Sequence, residues 1–373
     1  DNKELSVELG EDMDKLFLSR INKYLKRDRK TLNAETICTY YRENNYLEIS
    51  FDNGQCSYDK QGFCTMCDYG IATQKHDVSV FIKEMLRIYN MYEGIESLML
   101  CTNGSFLDDR QMPLDFQKSI MEAINNLPCK NIYIETHYST ITDSKLELLR
   151  EIFYNKTIKI ELGLETVNEY YQEYILNKKV SIKHFADVIK KIQTYGYTPI
   201  VNLLVGLPFL NENEQVTDIL NSINWCIEHN TEMVLFPINI KPHTLIHYLY
   251  ENGMYSPISQ WEIIYVLSSV DEKYLSKIDI AYWGNRDESY NDEVVTFPKT
   301  CSQCQSLIYN FYLKYICAST STDRKKLIND LLKDKQCNCY DVFQHKLTIN
   351  DLNIEKRIEQ AFTRLSAEFK ERI

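Results

Sequence analysis

No apolar run of roughly 18 residues or more occurs in the 373-residue chain, which leaves no candidate for a membrane-spanning helix. Its first thirty residues also lack the apolar h-region of a secretory signal. Both absences make a soluble, cytoplasmic protein without a membrane partner the expectation. Internal repeats and low-complexity segments are missing too, which sets aside solenoids and disordered arrays. Positive charge is scarce: 42 Lys and Arg stand against 53 Asp and Glu, a formal net charge of -11. A polyphosphate is repelled unless the bases gather on one face, as in KYLKRDRK (Lys23 to Lys30), so composition argues mildly against nucleic acid.

What is present is a hydrophobic share of 44% and enough length for one large domain with appendages, or for two domains. There are also 12 cysteines. In the expected compartment they are kept reduced, so metal binding or catalysis explains them better than a disulfide framework. Three cluster at Cys56, Cys64 and Cys67, and four more at Cys301, Cys304, Cys337 and Cys339. The isolated Cys38, Cys101, Cys129, Cys226 and Cys317 read as core filling.

From residue 46, β-rich runs alternate with helical ones. Strands are expected at 46–51, 97–102, 131–136, 158–164, 199–206 and 232–240. Between them, 77–92, 113–127, 143–154, 181–196 and 212–230 repeat apolar residues at helical spacing. Asp143 and Ser181 stand as start signals. Such βα units imply an α/β fold with a parallel sheet covered by helices. Residues 1–45 read as a helical N-terminal extension and 46–241 as the βα core. Residues 242–373 read as a C-terminal region with helices at 242–253 and 259–274, the second cysteine set, and a tail helix from about 350.

The first cysteine loop, GQCSYDKQGFCTMCDYG, follows the first core strand and so stands where βα sheets place their sites. Three thiolates with no His nearby leave a tetrahedral zinc set incomplete unless Cys38 or Cys101 joins it. A four-iron cluster tolerates three protein ligands, because an exogenous group can take the last iron.

Together with CTNGSFLDDRQMP, IELGLETVNEYYQEYILNKKVS, NLLVGLPFLNENEQVTDILNSI, PINIKPHTLIHYLYENGMYSP and the later CSQC and CNC, the loop resembles the radical S-adenosylmethionine (radical SAM) superfamily. Within it the chain resembles the radical SAM subunit of archaeosine synthase and, more distantly, the domain shared by the Elongator catalytic subunit and the methylthiotransferases. The likeness spans about residues 46 to 343, although the spacing between Cys56 and Cys64 is longer than most members have. The resemblance implies a partial (β/α)6 TIM-like barrel. It implies that Cys56, Cys64 and Cys67 ligate a 4Fe-4S cluster whose open iron binds SAM, and that an electron donor such as flavodoxin or ferredoxin supplies the reducing electron. The resulting 5'-deoxyadenosyl radical abstracts a substrate hydrogen.

By the same resemblance, Met66 and Tyr69 border the adenine, and Asn103, Gly104 and Ser105 form the turn that receives the SAM amino group. Glu135, at the end of its strand, and Glu161 and Glu165 are placed where a carboxylate can bind the SAM amino group or a ribose hydroxyl; for Glu161 and Glu165 the alternative is pairing with a buried Arg or Lys, and Asn202 is a further candidate. Strand alternation sets Glu161, Gly163 and Glu165 on one face. Gly206 and Pro208 shape a turn. His137 and His243 read as structural, with proton donation as the functional alternative. The second cysteine set matches structural zinc, with an auxiliary iron-sulfur cluster as the competing reading. The substrate stays open between a modified tRNA base cleaved by a lyase reaction, a peptide and a small natural-product intermediate. The contrasting class is a zinc or iron-sulfur structural or sensor protein without catalysis.

Overall fold

The computed structural model describes residues 17–27, 37–54, 56–68, 76–281, 294–335, 337–348 and 353–373. Among the described residues, eight strands form one sheet whose order follows the chain: β1 (Cys38–Glu43), β2 (Tyr46–Phe51), β3 (Ser97–Thr102), β4 (Asn131–Thr136), β5 (Thr157–Glu165), β6 (Thr198–Val205), β7 (Glu232–Pro237) and β8 (Ile278–Ile280). β1 runs antiparallel to β2, and every later neighbour is parallel. Sequential parallel order requires each crossover to turn the same way, so the helices coat one face and the sheet curls into a half-barrel.

The sheet's alternation separates core from site. Ile49, Leu100, Ile134, Ile160, Leu162 and Leu203 point outward into the main apolar core. There they meet α2 (Val78–Tyr89), α3 (Leu114–Asn125), α4 (Asp143–Ile152), α6 (Ile182–Thr194) and α7 (Glu212–Glu228) through Phe81, Met121, Leu149, Phe185 and Ile223. The intervening strand residues carry the polar groups to the concave face. Local caps agree with this layout: Ser181 caps α6, and Asn211 with Glu214 makes a reciprocal capping box at α7. α4 is capped by Thr142, one residue before the expected Asp143.

Two strands depart from the expected six. β1 lies inside the segment expected to be a helical extension, whose described helix, α1, covers only residues 17–26. β1 is a half-buried edge strand without apolar alternation, returned to β2 by a turn at Asn44 with φ 50°. β8 adds three residues at the far edge. The sixth expected strand ends at Pro237, and Ile240 bridges to Thr296 instead.

A second apolar core closes over the rim. It joins Leu18 and Ile21 of α1 to α8 (Leu245–Glu251) and to Leu365 and Phe369 of α13 (Ile354–Phe369). Three further helices, α10 (Ser302–Cys317), α11 (Ser321–Lys333) and α12 (Cys339–Lys346), pack near α9 (Gln260–Ser269) and β8. α5 (Glu169–Tyr174) bridges β5 to α6.

Candidate active site at the open end of the sheet

A cavity of about 300 Å³ opens at the C-terminal ends of the strands. Cys56, Cys64 and Cys67 all line it. They belong to a loop held from several sides. Thr65 donates its backbone N–H to Leu176 and its hydroxyl to Ile175, and its carbonyl accepts from Ile246. Gly62, at φ 84°, ends the short turn Asp59–Gln61, and its carbonyl accepts from the side chains of Asn22 and Asn177. Lys26 of α1 pairs with the buried Asp59. Cys64 itself is left-handed, with φ 63°, an unfavourable conformation that this bracing sustains. Burial pushes the Cys64 thiol up to about 11 and raises Cys67 further. Among the described residues, the C-terminal set forms the one group of potential metal ligands whose atoms all lie within 4.8 Å of one another, so the loop cysteines are spread more widely than ligands of a single ion. A multi-iron cluster fits that wider spacing.

The concave face supplies the other walls. Glu135, Gly163, Glu165, Asn202, Leu204 and Phe236 line the cavity, and all but Glu165 alternate with outward core residues. Glu165 sits on a bulge with φ 73°, so it leaves the simple alternation expected for it and turns to Lys178. Lys178 Nζ donates to Glu165 Oε1 at 2.5 Å and to the Gly163 carbonyl at 3.1 Å. A Cβ at position 163 would stand 3.0 Å from Lys178 Nζ and against Glu165, so glycine clears room for the pair. Burial opposes the Lys178 ammonium, but Glu165 and Cys64 outweigh it and hold its pKa above the ordinary lysine range. Asn202 Oδ1 is buried with no hydrogen-bond partner among the described residues. Such an atom fits a ligand that donates to it.

The expected turn after β3 is divided. Gly104 and Ser105 line the cavity, whereas the Asn103 side chain donates to Asp52 at 2.8 Å and is not part of the lining. The N–H groups of Gly104 and Ser105 donate to the Thr102 hydroxyl and the Gln111 side-chain oxygen. Met66 lines the cavity; Tyr69 lies outside the described residues. Glu161 is buried deeper along β5, away from the lining, and His243 is exposed on a left-handed turn.

His137 proves to be a cavity residue. Its Nδ1 accepts from the Ser139 N–H at 3.3 Å, so the neutral ring carries its proton on Nε2, which is buried without a partner among the described residues. The rings of Tyr58 and Tyr138 lie 4.7 and 4.6 Å from the imidazole. Burial pushes its pKa down to about 3, with Lys178 adding to the shift. Near neutral pH it is therefore a hydrogen-bond donor and not an acid. Sequence reasoning also missed Lys178, Lys241 and the Asp108–Arg110 pair, all on the lining.

Residues 55–223 match the model of the radical SAM superfamily. The matched segment is a radical SAM domain. Its relatives include the beta subunit of archaeosine synthase from Thermococcus kodakarensis, 26% identical over 220 residues, or 57% of this chain and 68% of that protein. An uncharacterized protein of Methanocaldococcus jannaschii is 24% identical over 297 residues, 74% of this chain and 81% of the relative. Among solved structures, a queuine lyase from Clostridium spiroforme, bound to SAM and queuine, aligns with a TM-score of 0.40 and 22% identity over 53% of this chain and 78% of that one. Elp3 of Methanocaldococcus infernus aligns with a TM-score of 0.47 and 11% identity over 63% and 58%. The radical SAM match implies SAM and an iron-sulfur cluster as cofactors. No helix among the described residues is long and apolar enough to cross a membrane.

Proposed function

We propose that the protein is a radical SAM lyase acting on a modified base of the 7-deazaguanine type, with Cys56, Cys64 and Cys67 holding its 4Fe-4S cluster. The observation that carries the reading is the convergence on one cavity of these three cysteines, the buried Lys178–Glu165 pair and the partnerless Asn202 oxygen. When bound and reduced by a flavodoxin- or ferredoxin-like donor, the cluster and SAM supply a 5'-deoxyadenosyl radical able to abstract a hydrogen atom.

The chain's own residues bind and orient. Lys178 keeps its charge where a carboxylate can share it, and Glu165 holds the ammonium in place. Asn202 Oδ1 accepts from a ribose or amino group, and His137 offers its Nε2–H. Leu204, Phe236 and Ile238 form an apolar wall that keeps water from a reactive intermediate. The archaeosine synthase relative supports a modified base as substrate.

A second reading keeps the chemistry and replaces tRNA with a small molecule or peptide at the same cavity. The net charge of -11 favours it, because a tRNA backbone gains little from an acidic surface. Anaerobic, reduced enzyme with SAM should be given modified tRNA, the corresponding free nucleoside and base, and peptides in turn. A rise in 5'-deoxyadenosine with matched loss of a base side chain supports the lyase reading. A rise with peptide alone would overturn it.

A further inference from the structure

The four C-terminal cysteines belong to helix starts that the fold brings together. Cys301 is the N-cap of α10 and Cys304 lies in its first turn, while Cys337 and Cys339 flank the start of α12. Their sulfurs converge: 3.3 Å from Cys301 to Cys337, 3.7 Å from Cys301 to Cys339, 3.3 Å from Cys304 to Cys337, 3.4 Å from Cys304 to Cys339 and 2.9 Å from Cys337 to Cys339. Bonds of about 2.3 Å to one tetrahedral ion set sulfurs about 3.8 Å apart. A cubane cluster places its irons and sulfides between the thiolates and holds them much farther apart.

We propose that Cys301, Cys304, Cys337 and Cys339 bind a single zinc ion, closed to exogenous ligands, that anchors one wall of the cavity. Two features beyond the sulfur spacing support this. The Trp261 indole N–H donates to Cys339 Sγ at 2.8 Å, the backbone N–H of Cys339 donates to Cys337 Sγ at 3.3 Å, and the Thr300 hydroxyl stands 3.6 Å from Cys339 Sγ. Such donors orient thiolates and offset their charge, as do the two helix starts. None of the four cysteines lines the cavity, so the ion has no access to substrate there.

The anchoring follows from the chain leading into Cys301. Lys299 accepts from the Gln260 N–H and Pro298 from its side chain. Thr296 and Val295 exchange backbone hydrogen bonds with Ile240, both at 2.8 Å. Ile240 stands between Asn239 and Lys241, both on the cavity lining. The ion thus fixes a strap whose far end braces the Asn239–Lys241 stretch of the cavity wall.

The test is metal analysis of a Cys56→Ala/Cys64→Ala/Cys67→Ala variant, which removes the loop ligands and leaves the C-terminal four. The proposal expects one zinc per chain and no stoichiometric iron or sulfide. Iron and sulfide in cluster amounts without zinc, or no metal at all, would overturn it. Because the triple variant can fail to fold, X-ray absorption at the zinc edge of the unaltered protein provides a second readout: a shell of four sulfurs supports the proposal, and mixed oxygen or nitrogen ligands contradict it. Cys304→Ser should lose the zinc, keep the loop cluster and its spectrum, and accelerate hydrogen exchange at Ile240 and 294–300. Unchanged exchange there would overturn the anchoring.

Discussion

Gly62→Ala should remove the cluster, whereas Gly54→Ala should largely spare it. Both glycines adopt left-handed φ, 84° and 82°, close to Cys56 in the chain. Alanine in that region costs about 1–2 kcal/mol in either case. Their surroundings differ. A Cβ at position 54 meets nothing within 4 Å, but at position 62 it overlaps the Ser19 carbonyl oxygen of α1, whose carbon would be 3.0 Å away. That neighbour is backbone and cannot swing aside, so α1 and the loop must part. Separation breaks the Asn22 and Asn177 bonds to the Gly62 carbonyl, at about 1 kcal/mol each, and loosens the buried Lys26–Asp59 pair. The extra cost of Gly62→Ala over Gly54→Ala is therefore about 2–4 kcal/mol. At about 1.4 kcal/mol per tenfold, the population of loop competent to hold the cluster falls roughly 30-fold or more. Iron and sulfide content after anaerobic reconstitution reads this directly. Equal iron in the two variants would refute the claim that α1 braces the cysteine loop.

Lys178→Met should weaken SAM binding by about 10- to 100-fold, the worth of one charge-assisted hydrogen bond, as measured by equilibrium dialysis. A change under twofold would remove Lys178 from the ligand site. Asn202→Leu should leave thermal stability unchanged or raise it, because Oδ1 has no partner among the described residues, yet slow SAM cleavage by roughly tenfold. If stability falls steeply and cleavage does not, Asn202 is structural. His137 has a folded pKa of about 3, below its unfolded value near 6.5, so its contribution is complete above about pH 6.5 and lost as pH falls toward 3. His137→Asn should accordingly flatten the loss of stability over that acid range, followed by denaturant midpoint against pH. An unchanged slope would show that His137 titrates normally.

The six core strands were legible because β2 to β7 carry aliphatic residues at every second position on the helix-covered face. β1 was hidden by its edge position: half-buried on both faces, CTYYRE shows neither strand nor helix periodicity. The cysteines stood out by spacing, Glu135 and Glu165 by their place at strand ends, and Asn202 as a polar residue within an apolar strand. Lys178 did not, since a lysine just ahead of a helix looks like any solvated residue. Only the β5 bulge and the absence of a side chain at Gly163 make it a buried partner of Glu165. His137 was underestimated for a related reason: the rings of Tyr58 and Tyr138 that bury it come from a distant loop and from its own neighbour. The Asn103 side chain goes to Asp52, 51 residues back in the chain, a pairing that local sequence does not display.

The most direct test of the central claim is electron paramagnetic resonance of the anaerobically reconstituted, reduced protein before and after adding SAM, paired with mass-spectrometric assay of 5'-deoxyadenosine and a Cys64→Ala control. The account predicts a reduced-cluster signal that SAM shifts, with 5'-deoxyadenosine formed by the unaltered protein, and neither in the variant. A cluster signal indifferent to SAM, or SAM cleavage that survives Cys64→Ala, would contradict it.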